Sequence, residues 1–180
     1  MPTQFFDLTG KTSIVTGGNG GIGFGIAKGL LEAGSNVVLA ARDEAKTRSA
    51  VRELNGCGGT VVGVKVDVSD ELSVESMVET VVEKFGKIDV LVNNAGITVR
   101  KQPQEYSLKE WNDVINVNLT GTFLCSRHVY PNMVRSGAGK IINIGSMTSV
   151  FGSDWVASYS ASKGGVVQLT KSLAISWASH

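Results

Sequence analysis

Thr16-Gly17-Gly18-Asn19-Gly20-Gly21-Ile22-Gly23 follows directly on a β-rich run and precedes an amphipathic segment, a placement suited to holding an anion. Gly17, Gly21 and Gly23 set the spacing T-G-x-x-x-G-x-G. Without Cβ atoms the chain turns tightly, and a pyrophosphate can reach the backbone N–H groups at the positive end of the following helix. A bare glycine triplet is a weak signal; between a strand and a helix it is a strong one. Far along the chain, Lys163 follows Tyr159 by 4 residues (163 − 159), and Ser146 precedes that tyrosine by 13 (159 − 146). Tyr159 and Lys163 therefore share one helix face. Such a pair alone is usually structural or solvated. It gains meaning jointly with the glycine loop, with Asn93-Asn94-Ala95-Gly96 and with Val117-Asn118-Leu119-Thr120-Gly121.

The elements that must position these residues follow from hydrophobic patterning. Nearly continuous Val, Ile and Leu runs at Thr12–Val15, Asn36–Ala40, Val61–Lys65, Val90–Val92 and Lys140–Ile144 predict buried strands. Helical patterns occupy Ile22–Glu32, Glu44–Leu54, Glu71–Phe85, Leu108–Val134 and Ser158–Trp177. Asp70 or Ser69 is placed to cap the third helix and Gly86 to close it, while Ser107 and Glu110 fit a capping box opening the fourth. Strict alternation of strand and helix predicts an α/β fold, a Rossmann-type doubly wound parallel sheet with right-handed crossovers. With no repeat or linker, residues 1–180 read as one dinucleotide-binding and catalytic domain.

In such a domain the second strand ends where an acidic residue holds the cofactor ribose, or where an arginine meets a 2′-phosphate. The chain reads Ala41-Arg42-Asp43 there. Strand-end register puts Ala41 at the acidic position and leaves Arg42 for a phosphate, favouring NADP; Asp43 taking the ribose of NAD is the other reading. Asn19 argues mildly for the latter, since no basic residue lies inside the glycine loop.

Composition narrows the class. The 180 residues carry 42% hydrophobic and 18% charged residues, which excludes a disordered chain and suits one sizeable core. A net charge of +1 supplies no general drive toward nucleic acid or anionic membrane. The start of the chain, with Asp7 and only the Phe5–Phe6 apolar pair, lacks the pattern of a signal peptide. Cys57 and Cys125 stand apart with no metal-ligand spacing. The expectation is a cytoplasmic protein without metal, membrane or nucleic-acid partner.

Taken together, Thr16–Gly23, Asp67-Val68, Asn93–Gly96, Asn118, Ser146 and Tyr159-Ser-Ala-Ser-Lys163 resemble the short-chain dehydrogenase/reductase family, from about Leu8 to His180. The resemblance implies that Tyr159 exchanges a proton with the substrate oxygen. A free phenol titrates near pH 10, and a lysine one turn away favours its ionised form. By the same resemblance Ser146 holds the substrate oxygen, Lys163 also binds the nicotinamide ribose, and Asn118 holds a water that links Lys163 to solvent. Cofactor contacts fall to Gly17, Asn19, Gly21, Ile22, Gly23, Arg42, Asp67, Val68, Asn94, Ala95, Gly96, Tyr159 and Lys163. Asp67 meets the adenine amino group and Val68 lines its pocket. Asn93 reads as a sheet brace more than a direct contact.

The resemblance further implies an oxidoreductase acting on a small carbonyl or alcohol. Ala95-Gly-Ile-Thr-Val-Arg-Lys is similar to the branch acting on sugar acids and polyols, and the general pattern equally to 3-oxoacyl-carrier-protein reductases. Arg100 and Lys101 stand where an anionic substrate would be attracted, if they are not simply solvated. Met147, Phe151, Trp155 and Val156 are candidates for the pocket wall or for packing. His128 and His180 have no convergent partners in the sequence, and Trp111 and Trp177 read as packing anchors. Homo-oligomerisation through Leu108–Val134 and Ser158–Trp177 is expected. The family pattern continues past the Tyr-Lys helix, so the 180 residues read as C-terminally short, with Lys140–Ile144 an uncovered edge and a silent nucleotide-binding module as the rival reading.

Overall fold

Thr12–Thr16 (β1), Asn36–Ala41 (β2), Val61–Lys65 (β3), Val90–Asn93 (β4) and Lys140–Asn143 (β5) are the strands of the computed structural model, which describes residues 6–180. Phe5 of the early apolar pair lies outside the described residues. The strands pair in parallel in the order β3-β2-β1-β4-β5. The chain thus steps outward from β1 to β3, then crosses back to lay β4 on the other side of β1. The reversal opens a crevice at the carboxyl ends of β1 and β4, where such sheets bind ligands.

β1 is buried along its whole length because helices cover both faces. Alternation along β2 divides the core. Val37 and Leu39 pack with Ala27 and Leu31 of α1 (Gly21–Glu32) and with Ala50 and Leu54 of α2 (Glu44–Leu54). Val38 and Ala40 face the opposite layer, with Val74, Met77 and Val81 of α3 (Glu71–Phe85) and Leu124, Cys125 and Val129 further on. Each large apolar side chain so buried contributes roughly 1.5–3 kcal/mol. Asp70 accepts from the backbone N–H groups of Leu72 and Ser73 at the start of α3, and Gly86 closes it at φ 77°, a left-handed value glycine adopts freely.

The stretch expected as one helix from Leu108 to Val134 is three pieces: α4 (Leu108–Ile115), a π-helical turn (Asn116–Thr120) and α5 (Gly121–Arg135). The N–H of Gly121 bonds the carbonyl of Asn116, the wider spacing that defines the π turn. The extra residue turns Asn118, 0% exposed, into the protein. Gly121 lies tight on β3's continuation, since a Cβ there would stand 2.8 Å from Val68 Cγ2. The last helix, α6 (Ala157–Ser176), packs against α4 and the π turn. β5 forms the outer edge of the sheet, with Ile142 48% exposed, and ends at Asn143 one residue before the expected limit. No described helix is long and apolar enough to cross a membrane.

Candidate functional site

β1 delivers Thr16 to the sheet's carboxyl end, and its hydroxyl organises two loops. Thr16 Oγ1 donates to the Val92 carbonyl (3.3 Å) and accepts the N–H groups of Asn94 and Ala95, each at 3.0 Å. Asn94 returns the tie, its amide donating to the carbonyls of Thr16 (3.0 Å) and Gly17 (3.3 Å). The glycine loop is therefore braced from β4, and Asn94 does the bracing. Gly17 sits at φ 64°, and a Cβ on it would come within 3.1 Å of the Ala95 Cα. A Cβ on Gly23 would lie 2.4 Å from the Gly17 carbonyl oxygen, so only glycine lets α1 approach the loop this closely. No side chain caps α1 at Gly20. Its first N–H groups are thus available to an anion, as the dinucleotide reading requires.

A cleft of about 530 Å³ runs beside this loop. Gly17, Asn19 and Ile22 border it from the loop, Arg42 from the end of β2, and Asp67 and Val68 from the end of β3. Asn94, Ala95 and Gly96 close it from β4. Gly21 and Gly23 shape the loop behind them. Asp43 also borders the cleft, and one oxygen of its carboxylate caps α2, accepting the Lys46 N–H at 2.9 Å. Asn19 is also committed, donating to the Asp43 carbonyl (3.3 Å) and to Thr47 Oγ1 (2.9 Å). Asp67 accepts from the N–H and hydroxyl of Ser69, and Arg42 stands 3.9 Å away. Burial raises the Asp67 pKa, but the two Ser69 bonds and the Arg42 charge outweigh it and leave the carboxyl below its ordinary range. Asn93 is the sheet brace expected, its amide reaching Ser126 Oγ (3.0 Å) and Asn143 Oδ1 (2.9 Å).

The second group of residues meets along α6. Lys163 is 4% exposed and donates to the Ile144 carbonyl at 2.6 Å, with its Nζ 5.8 Å from the centre of the Tyr159 ring. Burial pushes the Lys163 pKa down, because a desolvated ammonium is disfavoured. Asn118 ties the β4–α4 loop to this helix. Its Oδ1 accepts the Ile97 N–H (2.8 Å), and its Nδ2 donates to the Ile97 carbonyl (2.9 Å) and to Ser162 Oγ (3.0 Å). Ser162 in turn donates to the Tyr159 carbonyl at 2.7 Å. Ser146 Oγ accepts from the N–H (3.2 Å) and hydroxyl (3.0 Å) of Thr148. Both lone pairs are thereby engaged, and the serine's own O–H is left to donate.

Lys101 is removed from the list of free cations, because its ammonium pairs with Glu110 at 2.5 Å. Arg100 remains exposed, with no carboxylate within 4 Å among the described residues. The Lys101 N–H also donates to the Trp155 carbonyl (2.9 Å), and the Tyr106 hydroxyl donates to Val99 (2.5 Å) with that same Trp155 carbonyl at 3.3 Å. These bonds join the loops after β4 and β5. They hold Trp155 at φ 59°, the one positive φ among the described non-glycine residues. A non-glycine residue in that region costs about 1–3 kcal/mol and such strain clusters at functional sites. Met147 and Phe151 are largely exposed beside it. Trp111 is 36% exposed rather than a buried anchor, whereas Trp177 stacks on Tyr130 at 4.2 Å. His128, without a partner in the sequence reading, lies 3.5 Å from Glu71 in a cluster with Arg127.

The Lys101 ammonium and the Ser107 N–H and hydroxyl together hold Glu110 down to a pKa of about 2. A carboxylate lowered on folding stabilises fully above its unfolded value of 4.5 and loses that contribution as pH falls through about 2. The Ser107 amide resonance, followed by NMR, is expected to stay in place through pH 4.5 and to move only on approach to about pH 2. Movement centred at 4.5 would show that the pairing is absent in solution.

Comparison with known proteins agrees with this geometry. The model of the short chain dehydrogenase family matches residues 11–180. A 2-dehydro-3-deoxy-D-gluconate 5-dehydrogenase of Formosa agariphila is 39% identical, over 100% of this chain and 69% of its own. A 3-oxoacyl-[acyl-carrier-protein] reductase of Chlamydia pneumoniae is 40% identical over 93% of this chain and 67% of its own. A crystal structure of a candidate gluconate dehydrogenase from Agrobacterium tumefaciens superposes with a TM-score of 0.92 at 37% identity, over 97% of this chain and 69% of the other. The chain spans about two-thirds, 66% to 71%, of the length of curated relatives it matches. With the family model matched over residues 11–180 and relatives of about 40% identity along nearly its whole length, the chain belongs to the short-chain dehydrogenase family.

Proposed function

We propose that the protein interconverts a carbonyl and a secondary alcohol with NADP(H), acting on a sugar acid or polyol. The observation that carries this reading is one continuous arrangement. The cleft runs from Arg42 along the glycine loop to Gly96, and Asn118 ties its far wall to the helix bearing Tyr159 and Lys163. When bound, the nicotinamide supplies or accepts the hydride. Gly17, Ile22 and the uncapped start of α1 would hold the pyrophosphate, Asp67 and Val68 the adenine end, and Lys163 the ribose near the reacting ring.

Within that arrangement Tyr159 gives or takes the proton at the substrate oxygen, and the free O–H of Ser146 steadies the same oxygen. Lys163 keeps a cation near the phenol, and its desolvation makes its own proton easier to release. Asn118, engaged on both sides with Ile97, positions the helix and the loop opposite it. Arg100 is the cation left to meet a substrate carboxylate. A 3-oxoacyl-carrier-protein substrate is the second reading, supported by the Chlamydia relative. A cytoplasmic homo-oligomer joined through α4, α5 and α6 completes the proposal, with Phe123 37% exposed on α5.

Titration of NADPH and NADH, followed by a panel of keto sugar acids and 3-oxoacyl thioesters, tests it. The expected result is tighter binding of NADPH and its oxidation by a keto sugar acid. Equal or tighter NADH binding overturns the cofactor choice. Binding without oxidation by any member of the panel overturns the enzymatic reading in favour of a silent nucleotide-binding module.

A further inference from the structure

We propose that Tyr106 is a positioning residue for the substrate: its hydroxyl closes a clasp that fixes the backbone on both sides of Arg100. The inference rests on the sugar-acid reading, in which Arg100 meets the substrate carboxylate, and names what makes that contact rigid. After β4 the chain runs out to Arg100 and soon returns. Pro103 opens a single 3-10 turn, Pro103–Glu105, and Gln102 brackets it. The Gln102 carbonyl accepts the Glu105 N–H at 2.9 Å, and the Gln102 N–H donates to the Glu105 carboxylate at 3.3 Å. The chain thereby folds back, and the Tyr106 hydroxyl donates at 2.5 Å to the carbonyl of Val99, 7 residues upstream.

A second strap crosses this closed loop from the other side. Trp155, on the loop after β5, accepts the Lys101 N–H on its carbonyl at 2.9 Å and has the Tyr106 hydroxyl at 3.3 Å. Both lone pairs of that carbonyl face donors. Trp155 holds φ 59° there, a conformation that persists in a non-glycine residue only where its surroundings over-determine it. Val99 and Lys101, the neighbours of Arg100 on either side, are thus both pinned through the backbone. The Lys101 ammonium is paired with Glu110, so Arg100, exposed and with no carboxylate within 4 Å among the described residues, is the charge this frame presents. The frame is also tied to the chain entering α6, since Trp155 precedes Tyr159 by 4 residues (159 − 155) and no side chain caps that helix. An arginine on a fixed backbone has less freedom to lose when an anion binds.

Steady-state kinetics with a keto sugar acid and NADPH test the assignment on Tyr106→Phe, Arg100→Gln and the double variant, together with amide hydrogen exchange at Lys101. Tyr106→Phe is expected to raise the substrate KM roughly fivefold, the scale of one lost hydrogen bond, with kcat and NADPH binding unchanged. The split follows because a remote carboxylate keeps its charge through hydride transfer, so its contact favours ground state and transition state alike. Arg100→Gln raises KM at least about tenfold, and the double variant is no worse than Arg100→Gln alone, because Tyr106 acts through Arg100. The Lys101 amide is expected to exchange slowly in the parent protein and several-fold faster in Tyr106→Phe. A parent protein that oxidises NADPH with no keto sugar acid overturns the sugar-acid reading. If it does turn one over, and Tyr106→Phe leaves KM unchanged, weakens NADPH equally, or adds its full effect to that of Arg100→Gln, the Tyr106 assignment fails alone. Equal exchange at Lys101 in the parent protein and in Tyr106→Phe removes the clasp whatever the substrate.

Discussion

Tyr159→Phe is expected to lower turnover by about 10²–10⁴-fold, the range for loss of a positioned general acid or base, with NADPH binding almost unchanged. The separation follows from what the phenol does and does not hold together. The backbone carbonyl of Tyr159, not its side chain, receives the Ser162 bond that links α6 to Asn118. Lys163 is held by the Ile144 carbonyl, again independently of the phenol. No hydrogen bond to the Tyr159 hydroxyl is formed among the described residues. Phenylalanine therefore deletes one O–H and leaves ring, helix and lysine in place. Stopped-flow hydride transfer alongside a cofactor titration reads the two effects apart. Undiminished transfer would remove Tyr159 from the chemistry, while parallel loss of binding would make it a structural residue.

The sequence was legible where local rules and the fold agree. Five apolar runs became five parallel strands, but the expected burial holds for β1, β2 and β4, whereas the edge strands β3 and β5 are only partly covered. Asp70, Gly86 and the Ser107–Glu110 box behave as their positions in the sequence require, since a cap is satisfied by the residues beside it. The glycine spacing was readable for the same reason: Gly17 and Gly23 are demanded by contacts within and just behind one turn.

What escaped the sequence depends on partners distant along the chain. The π turn at Asn116–Thr120 exists because Asn118 engages Ile97 and Ser162, and nothing in its own helical pattern marks the break. Lys101 looked free until α4 brought Glu110 against it. The competition between Arg42 and Asp43 was undecidable from spacing, and both residues border the cleft, with one Asp43 oxygen given to the cap of α2.

Gly23→Ala carries the other large expected effect, and its neighbours in α1 supply the comparison. A Cβ at Gly23 would lie 2.4 Å from both the Gly17 carbonyl oxygen and Asn94 Nδ2. Neither atom can withdraw freely. The Gly17 carbonyl belongs to a loop whose own Cβ space is closed by Ala95, and Asn94 is the brace between β4 and that loop. The helix must therefore move off the loop, carrying away the N–H groups placed for the pyrophosphate. Overpacking of this kind costs about 1–3 kcal/mol in stability. Cofactor affinity is expected to fall by at least about a hundredfold, the equivalent of roughly 2.8 kcal/mol. Gly25→Ala, two residues on, meets nothing within 4 Å and lies inside the same helix. It is expected to stabilise by roughly 0.5–1 kcal/mol, since alanine gives up less backbone freedom in a helix, with binding unchanged. Thermal unfolding and nucleotide titration of the two variants separate close approach from helix propensity. Equal behaviour of Gly23→Ala and Gly25→Ala would show that the contact between α1 and the loop is not what makes the phosphate site.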